Sequence, residues 1–185
     1  PRKLNIKGEE EFQGMGVSYC ATCDGAFFRN GVTAIVGGGD TAVEDSLFLA
    51  RICKKVYLIH RRDEFRAVKS YIEKVKSSPN IELVLDSELE EIIGTDQVEK
   101  IKVRNIKGDE VSELDVDGVF IAIGNMPSSE VFKGTVDMDK GGYIIAGEDG
   151  KTNIPGVYAA GDIRTKQLRQ VVTAASDGAN VITSV

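Results

Sequence analysis

Nowhere in this chain does an apolar run approach the ~20 residues that a membrane-spanning helix requires, so no helical span is expected. The first residues, Pro1-Arg2-Lys3, are not followed by the apolar stretch of a signal peptide, and there is no initiating Met. A processed chain or a piece of a longer one is expected. Cysteine is scarce, with three residues, too few and odd in number for a secreted disulfide framework. Histidine is scarcer still, His60 standing alone. A zinc site built on Cys20 and Cys23 would have only Cys53 and His60 to complete it, and both fall in segments with other tasks. No metal is expected. An excess of positive charge is also lacking: 23 Lys+Arg against 29 Asp+Glu leave a net charge of −6. That balance gives no global attraction to nucleic acid or to an anionic membrane. What remains is an ordinary soluble mixture, 42% hydrophobic and 28% charged over 185 residues, enough for one ordinary domain and part of another.

Within that mixture, Cys20-Ala21-Thr22-Cys23-Asp24 stands out. Two cysteines at this spacing can close a small ring. One thiolate attacks a target disulfide and the other resolves the mixed disulfide. Asp24, directly after Cys23, could supply or accept the proton that such exchange needs. In an acidic soluble chain the pair reads as a cytosolic redox couple, and a cytoplasmic location is expected. The plainer reading is two unrelated buried cysteines. Cys53 lies in an apolar helical stretch and reads as an inert core thiol.

A second motif follows at once. Val32-Thr33-Ala34-Ile35-Val36 is a short apolar run, predicted as a buried strand, that ends in Gly37-Gly38-Gly39-Asp40-Thr41-Ala42. The pattern Gly37-x-Gly39-x-x-Ala42 opens a predicted helix to Ile52, and Val56 to Ile59 is the next predicted strand. In such a βαβ unit the first Gly permits the tight turn and the second lets the backbone approach a pyrophosphate. The small third residue lets helix and strand pack closely. The helix start offers free N–H groups to phosphates. The second strand ends in His60-Arg61-Arg62, with Arg66 beyond, and carries no carboxylate at its tip. An acid there would hold the ribose hydroxyls of NAD, whereas guanidinium forks suit a 2′-phosphate. The residues therefore point to NADPH, against the plainer reading of a solvated basic loop. His60, beside the arginines, is read as an adenosine-phosphate contact rather than a structural histidine.

Further along, Glu64 to Lys76 is predicted as a helix and Ile81 to Leu85 as a strand. An antiparallel β insert follows over 89–93, 98–103 and 111–116, and a strand over 119–123 ends at Gly124. Residues 1–16 read as a linker. After Pro127 the chain turns Gly-rich and polar around a small apolar centre at Tyr143-Ile144-Ile145. Val157 to Ala160 is predicted as a strand running into Gly161-Asp162, and Val171 to Val185 as a helix. A boundary is placed near residue 128. Nicotinamide hydride does not pass readily to a disulfide without a flavin, so a flavin site is also expected.

Cys20-Ala-Thr-Cys-Asp-Gly25, Gly-Gly-Gly-Asp-Thr-Ala42 and His-Arg-Arg-x-x-x-Arg66 closely resemble the low-molecular-weight, bacterial-type thioredoxin reductases. Ala122-Ile123-Gly124 resembles that family's second glycine motif. Gly161-Asp162 followed by Arg169-Gln170 resembles its C-terminal flavin motif. The resemblance implies an α/β fold: a Rossmann-like three-layer ββα NADPH-binding domain over 1–128, plus the C-terminal part of a discontinuous FAD-binding domain over 129–185. It implies that Cys23 faces the flavin, Cys20 attacks thioredoxin and Asp24 donates a proton. It places Gly37, Gly39, Asp40, Thr41, Ala42 and Gly124 in the nucleotide site, and His60, Arg61, Arg62 and Arg66 on the 2′-phosphate. Gly161 and Asp162 would hold the ribityl–phosphate part of FAD, with Arg169 and Gln170 near the ring. NADPH, FAD, thioredoxin and a homodimer in the complete enzyme follow from the same resemblance, as does rotation of one domain against the other. The family's N-terminal FAD segment has no counterpart here, so the chain by itself is expected neither to hold FAD tightly nor to turn over thioredoxin. A relative that feeds a peroxidase generally uses NADH, against which the arginines speak. A non-catalytic nucleotide-binding module is the remaining alternative.

Overall fold

Val17–Ser18 forms the first strand, β1, and runs into the short helix α1 over Ala21–Asp24. In this computed structural model, which describes residues 1–185, a 3-10 turn at Gly25–Phe28 then leads to β2 (Val32–Val36). Helix α2 (Asp40–Ala50), β3 (Lys55–Ile59), α3 (Lys69–Ser77) and β4 (Ile81–Val84) follow. The β insert comes next, as β5 (Ser87–Gly94), β6 (Val98–Asn105) and β7 (Val111–Asp115), before β8 (Gly118–Ile121) returns to the first sheet. That first sheet is parallel throughout, in the order β1-β8-β2-β3-β4. The insert is a separate antiparallel sheet, β5-β6-β7.

The parallel strands are apolar on both faces because both faces are covered. Alternate residues serve the two sides. Ala34, Val36, Ile59, Val119 and Ile121 pack with Leu89, Ile92, Ile101 and Val103 of the antiparallel sheet. Ile35, Val56, Leu58 and Phe120 pack with Ala42, Val43 and Leu49 of α2 and Val75 of α3. The layers are therefore sheet, sheet and helices, the three-layer ββα arrangement. In β5 a register shift between Leu89 and Glu91 allows Leu89 and Ile92, three apart, to face the same core. The outer face of this sheet is charged and cross-paired, with Lys102 on Glu91 at 3.0 Å and Lys100 on Glu113 at 3.2 Å.

Three expectations from the sequence are corrected. Residues 1–16 are built into the domain rather than forming a linker. Phe12 is core, and the fully buried Glu9 accepts N–H bonds from Leu4 at 3.0 Å and Asn5 at 2.6 Å, and the Tyr19 hydroxyl at 2.9 Å. Burial and the Glu9 carboxylate push the Tyr19 phenol up to about 12. The helix predicted from Glu64 begins only at Lys69. Residues 64–68 are instead tied to the glycine turn: the Arg66 N–H donates to Gly38 O at 2.7 Å and the Val68 N–H to Asp40 Oδ1 at 2.8 Å. Val157 to Ala160 is not a strand, since its only ladder pairing is the single bridge from Tyr158 to Lys151.

Two compact units part at Gly124, close to the boundary expected near 128: Pro1–Gly124 and Asn125–Val185. The second unit holds a small core of Val136, Ile144, Ala146 and Ala159, two 3-10 turns (Glu130–Phe132 and Gly161–Ile163) and helix α4 (Val171–Ser184). Of the apolar centre expected at 143–145, only Ile144 is buried. No helix is long and apolar enough to cross a membrane.

Candidate functional site

At the carboxyl end of β2 the glycines divide their tasks. A Cβ on Gly37 would collide with the Ala122 carbonyl and stand 2.7 Å from the Ala42 Cβ, and one on Gly38 would overlap the His60 ring. Both positions are closed by the protein itself. At Gly39 a Cβ would meet nothing within 4 Å, so the turn is open on that side. Ala42, fully buried, is the small residue that lets α2 sit against the strand. Gly39 is the N-cap of α2 and contributes no side-chain cap, which leaves first-turn N–H groups for an anion. Thr41 is exposed at that turn and lines the cleft below, whereas Asp40 turns aside to hold Val68.

β3 delivers the basic cluster. His60 stacks on Phe65, with centroids 5.4 Å apart and planes at 19°, and its Nε2 lies 3.2 Å from the Glu64 carbonyl. Burial, opposed by that hydrogen bond and reinforced by the arginines, lowers its pKa and favours the neutral ring. His60 thus packs against Gly38 and Phe65 and also lines the cleft that the arginines rim. Arg61, Arg62 and Arg66 are exposed, and none pairs with a carboxylate. They rim a cleft of about 650 Å³ whose floor is Gly37, Gly38, Gly39 and Thr41. Gly124 lines the same cleft. So do Arg2, Leu4 and Ile6 from the N-terminal segment and Ser87 and Glu88 from β5, none of which the sequence singles out. No local motif marks them, because long-range pairing brings them there.

Cys20 and Cys23 are joined as a disulfide across α1. Cys20 is half-buried and Cys23 exposed. The Thr22 hydroxyl lies 3.4 Å from Cys20 Sγ, and Ser18 Oγ accepts the Cys20 N–H at 3.1 Å while donating to Asp24 Oδ2 at 2.6 Å. Asp24 is thereby fixed beside the pair. Phe28 is anchored edge-on against Phe120 at 5.4 Å, but Phe27 next to it is 83% exposed. Cys53 is buried, and burial pushes its thiol up, as suits an unreactive core residue.

In the second unit, Gly161 adopts a positive φ of 82° at the start of its 3-10 turn and leaves Asp162 exposed. The turn is fixed by Asp177 of α4, a residue without a motif of its own. Asp177 accepts the Gly161 N–H at 2.8 Å, Arg164 Nε at 2.7 Å and Lys166 Nζ at 2.9 Å. Nothing in the sequence around it marks it, since Thr173 and Asn180 on the neighbouring turns are polar as well. Its carboxyl is held far below the usual carboxylate range, first by the Arg164 hydrogen bond. Arg169 lies 4.0 Å over the Tyr143 ring with its Nε buried and unpartnered, and Gln170 caps α4. Replacing Asp177 with Ala leaves two buried cations unpaired and is expected to destabilise the fold by about 3 kcal/mol, as read by urea unfolding of the full chain. The folded pKa is depressed, so Asp177 stabilises above its unfolded pKa of about 3.9. That contribution is lost as pH falls below this value toward the folded pKa, and the variant should show a shallower acid-side decline.

The chain that holds this cleft, arginine rim and disulfide is similar to known proteins. The sequence matches the pyridine nucleotide-disulphide oxidoreductases over residues 1–178. The chain belongs to that family. It is 48% identical to a thioredoxin reductase of Peptoclostridium acidaminophilum, over 97% of this chain and 59% of that protein. It is 46% identical to a thioredoxin reductase of Streptomyces coelicolor, over 96% of this chain and 55% of that one. The crystal structure of thioredoxin reductase from Streptococcus pyogenes superposes with a TM-score of 0.90 at 42% identity, over 97% of this chain and 59% of that chain. The chain thus spans somewhat more than half the length of these relatives. It carries both the arginine-rimmed cleft and the disulfide within residues 1–124.

Proposed function

We propose that the cleft of residues 1–124 binds NADPH, and that in the complete protein its electrons pass by way of FAD to the Cys20–Cys23 disulfide and on to thioredoxin. The observation that carries the reading is one set of residues: Arg61, Arg62 and Arg66, free of carboxylate partners, beside the open Gly39 turn. Guanidinium forks there suit a 2′-phosphate, and the N–H groups that open α2 suit the pyrophosphate. Cys20 and Cys23 then perform the exchange. The Cys20 thiolate attacks the target disulfide, and Cys23 displaces the reduced target and restores the ring. Asp24, held by Ser18, exchanges the proton that this requires. The exposed Phe27 offers an aromatic anchor for a protein target beside the disulfide.

Residues 125–185 fit part of a flavin site. The Asp162 carboxylate is free to accept hydroxyl donors, and the buried Arg169 Nε lacks a partner within the chain. When bound, the flavin supplies the two-electron relay between nicotinamide and disulfide. Gly161 and Asp162 would hold its ribityl–phosphate part, with Arg169 and Gln170 toward the ring.

The test is reduction of thioredoxin disulfide by the full-length protein with NADPH or NADH as the donor. NADPH-driven reduction with NADH weak is expected. A preference for NADH would favour the NADH-type relative, equal rates would remove the cofactor selection assigned to the arginines, and none with either would leave a nucleotide-binding module.

A further inference from the structure

The cleft contains a fourth arginine to which the 2′-phosphate reading gives no task. Arg2 lines it from the N-terminal segment, and its guanidinium pairs with no carboxylate. The residue is placed rather than trailing. Its backbone N–H donates to Gly124 O at 2.9 Å, just beyond the carboxyl end of β8. Two residues on, the Leu4 and Asn5 N–H groups are locked onto the buried Glu9 carboxylate.

Strand order decides what Arg2 faces. β2, with the glycine turn at its tip, lies between β8 and β3. Arg61 and Arg62 follow β3, so they and Arg2 flank the turn from opposite sides. Neighbouring strands lie ~4.8 Å apart, which separates the β8 and β3 tips by about 10 Å, a span that an extended dinucleotide bridges readily. A 2′-phosphate at Arg61, Arg62 and Arg66 and a pyrophosphate over the turn leave the nicotinamide nucleoside at the β8 end. Ile123, just past β8, lines the cleft at that end, and Leu4 and Ile6, which follow Arg2 in the chain, add apolar lining suited to a flat ring.

We propose that Arg2 is a cofactor-positioning residue that holds the nicotinamide half of NADPH, its guanidinium donating to the oxygens of the nicotinamide ribose and its phosphate. The proposal rests on the NADPH reading of the cleft and adds a task at the end remote from the arginine cluster. It gives the protein a means of orienting the reactive ring separately from choosing the cofactor.

Calorimetric titration of the full chain with two probes tests this. NADP+ carries both halves, whereas adenosine 2′,5′-bisphosphate carries the 2′-phosphate but no nicotinamide nucleoside. Arg2→Ala is expected to weaken NADP+ roughly tenfold, the effect of removing one charge-assisted hydrogen bond at an exposed site. Adenosine 2′,5′-bisphosphate affinity should stay within about twofold of wild type, which also reports that the cleft has folded. Unchanged NADP+ affinity would overturn the proposal, as would an equal loss for both probes, which would put Arg2 at the adenosine end. Wild-type protein that binds neither probe would overturn the NADPH reading itself, a result distinguishable from failure at Arg2 alone.

Discussion

Replacing Arg61, Arg62 and Arg66 together with Ala is expected to weaken NADPH binding by roughly a thousandfold, about tenfold for each guanidinium–phosphate hydrogen bond removed. NADH affinity should change by no more than a few fold. The asymmetry follows from placement. The three side chains rim the cleft without carboxylate partners, so their removal breaks no ion pair of the fold. The loop is tied down by backbone instead: the Arg66 N–H bond to Gly38 O, at 2.7 Å, survives truncation of the side chain. A 2′-phosphate loses all three cations, whereas a 2′-hydroxyl loses little. Because the groups are exposed, added salt should weaken NADPH binding to the wild type and leave the triple variant nearly insensitive. Fluorescence titration with both cofactors reads the result. An equal loss for NADPH and NADH would mean that the arginines hold the loop rather than select the cofactor.

The second large effect concerns the disulfide. In the full-length protein Cys23→Ser is expected to lower thioredoxin reduction by at least about a thousandfold, because residues that act as one unit fail together. NADPH affinity should be unchanged, since Cys23 does not line the nucleotide cleft. With the resolving thiol gone, Cys20 attacks but cannot be released. A mixed disulfide with thioredoxin should therefore accumulate through Cys20, visible by non-reducing electrophoresis and peptide mapping. The Ser18–Asp24 hydrogen bond lies outside the substituted side chain and should hold the local turn in place. A mixed disulfide that forms only in Cys20→Ser, through Cys23, would reverse the two roles. That outcome would accord with the greater exposure of Cys23.

The parts of the fold legible in the sequence are those whose causes are local. Val32–Val36 is a strand because its apolar run is covered on both sides, and its glycines mark the turn because Gly37 and Gly38 have no room for a side chain. In the insert, Leu89 and Ile92 of β5 and Ile101 and Val103 of β6 turn inward, as the apolar positions of half-buried strands do. The segments that depart from expectation are governed by distant partners. Residues 64–68 have helical composition, yet Asp40 and Gly38 claim their N–H groups. Residues 1–16 look like a polar linker, but one buried acid, Glu9, gathers the N–H groups of Leu4, Asn5 and Ile6 and the Tyr19 hydroxyl, and Arg2, Leu4 and Ile6 become part of the cleft. Asp177 is invisible in the sequence for the same reason, since its meaning lies in Arg164, Lys166 and the Gly161 N–H. In the site, the arginines and cysteines announce themselves by spacing, whereas Arg2 reaches the cleft only through a backbone bond to Gly124.

The most direct test of the central claim is an anaerobic titration of the oxidised full-length protein with NADPH, followed by alkylation and mass-spectrometric counting of free thiols at Cys20 and Cys23. The account expects two new thiols per chain, both on this pair, with buried Cys53 unmodified before and after, and almost none with NADH. A pair that stays closed under excess NADPH would contradict it, for the nucleotide cleft and the disulfide would then share a domain without sharing electrons.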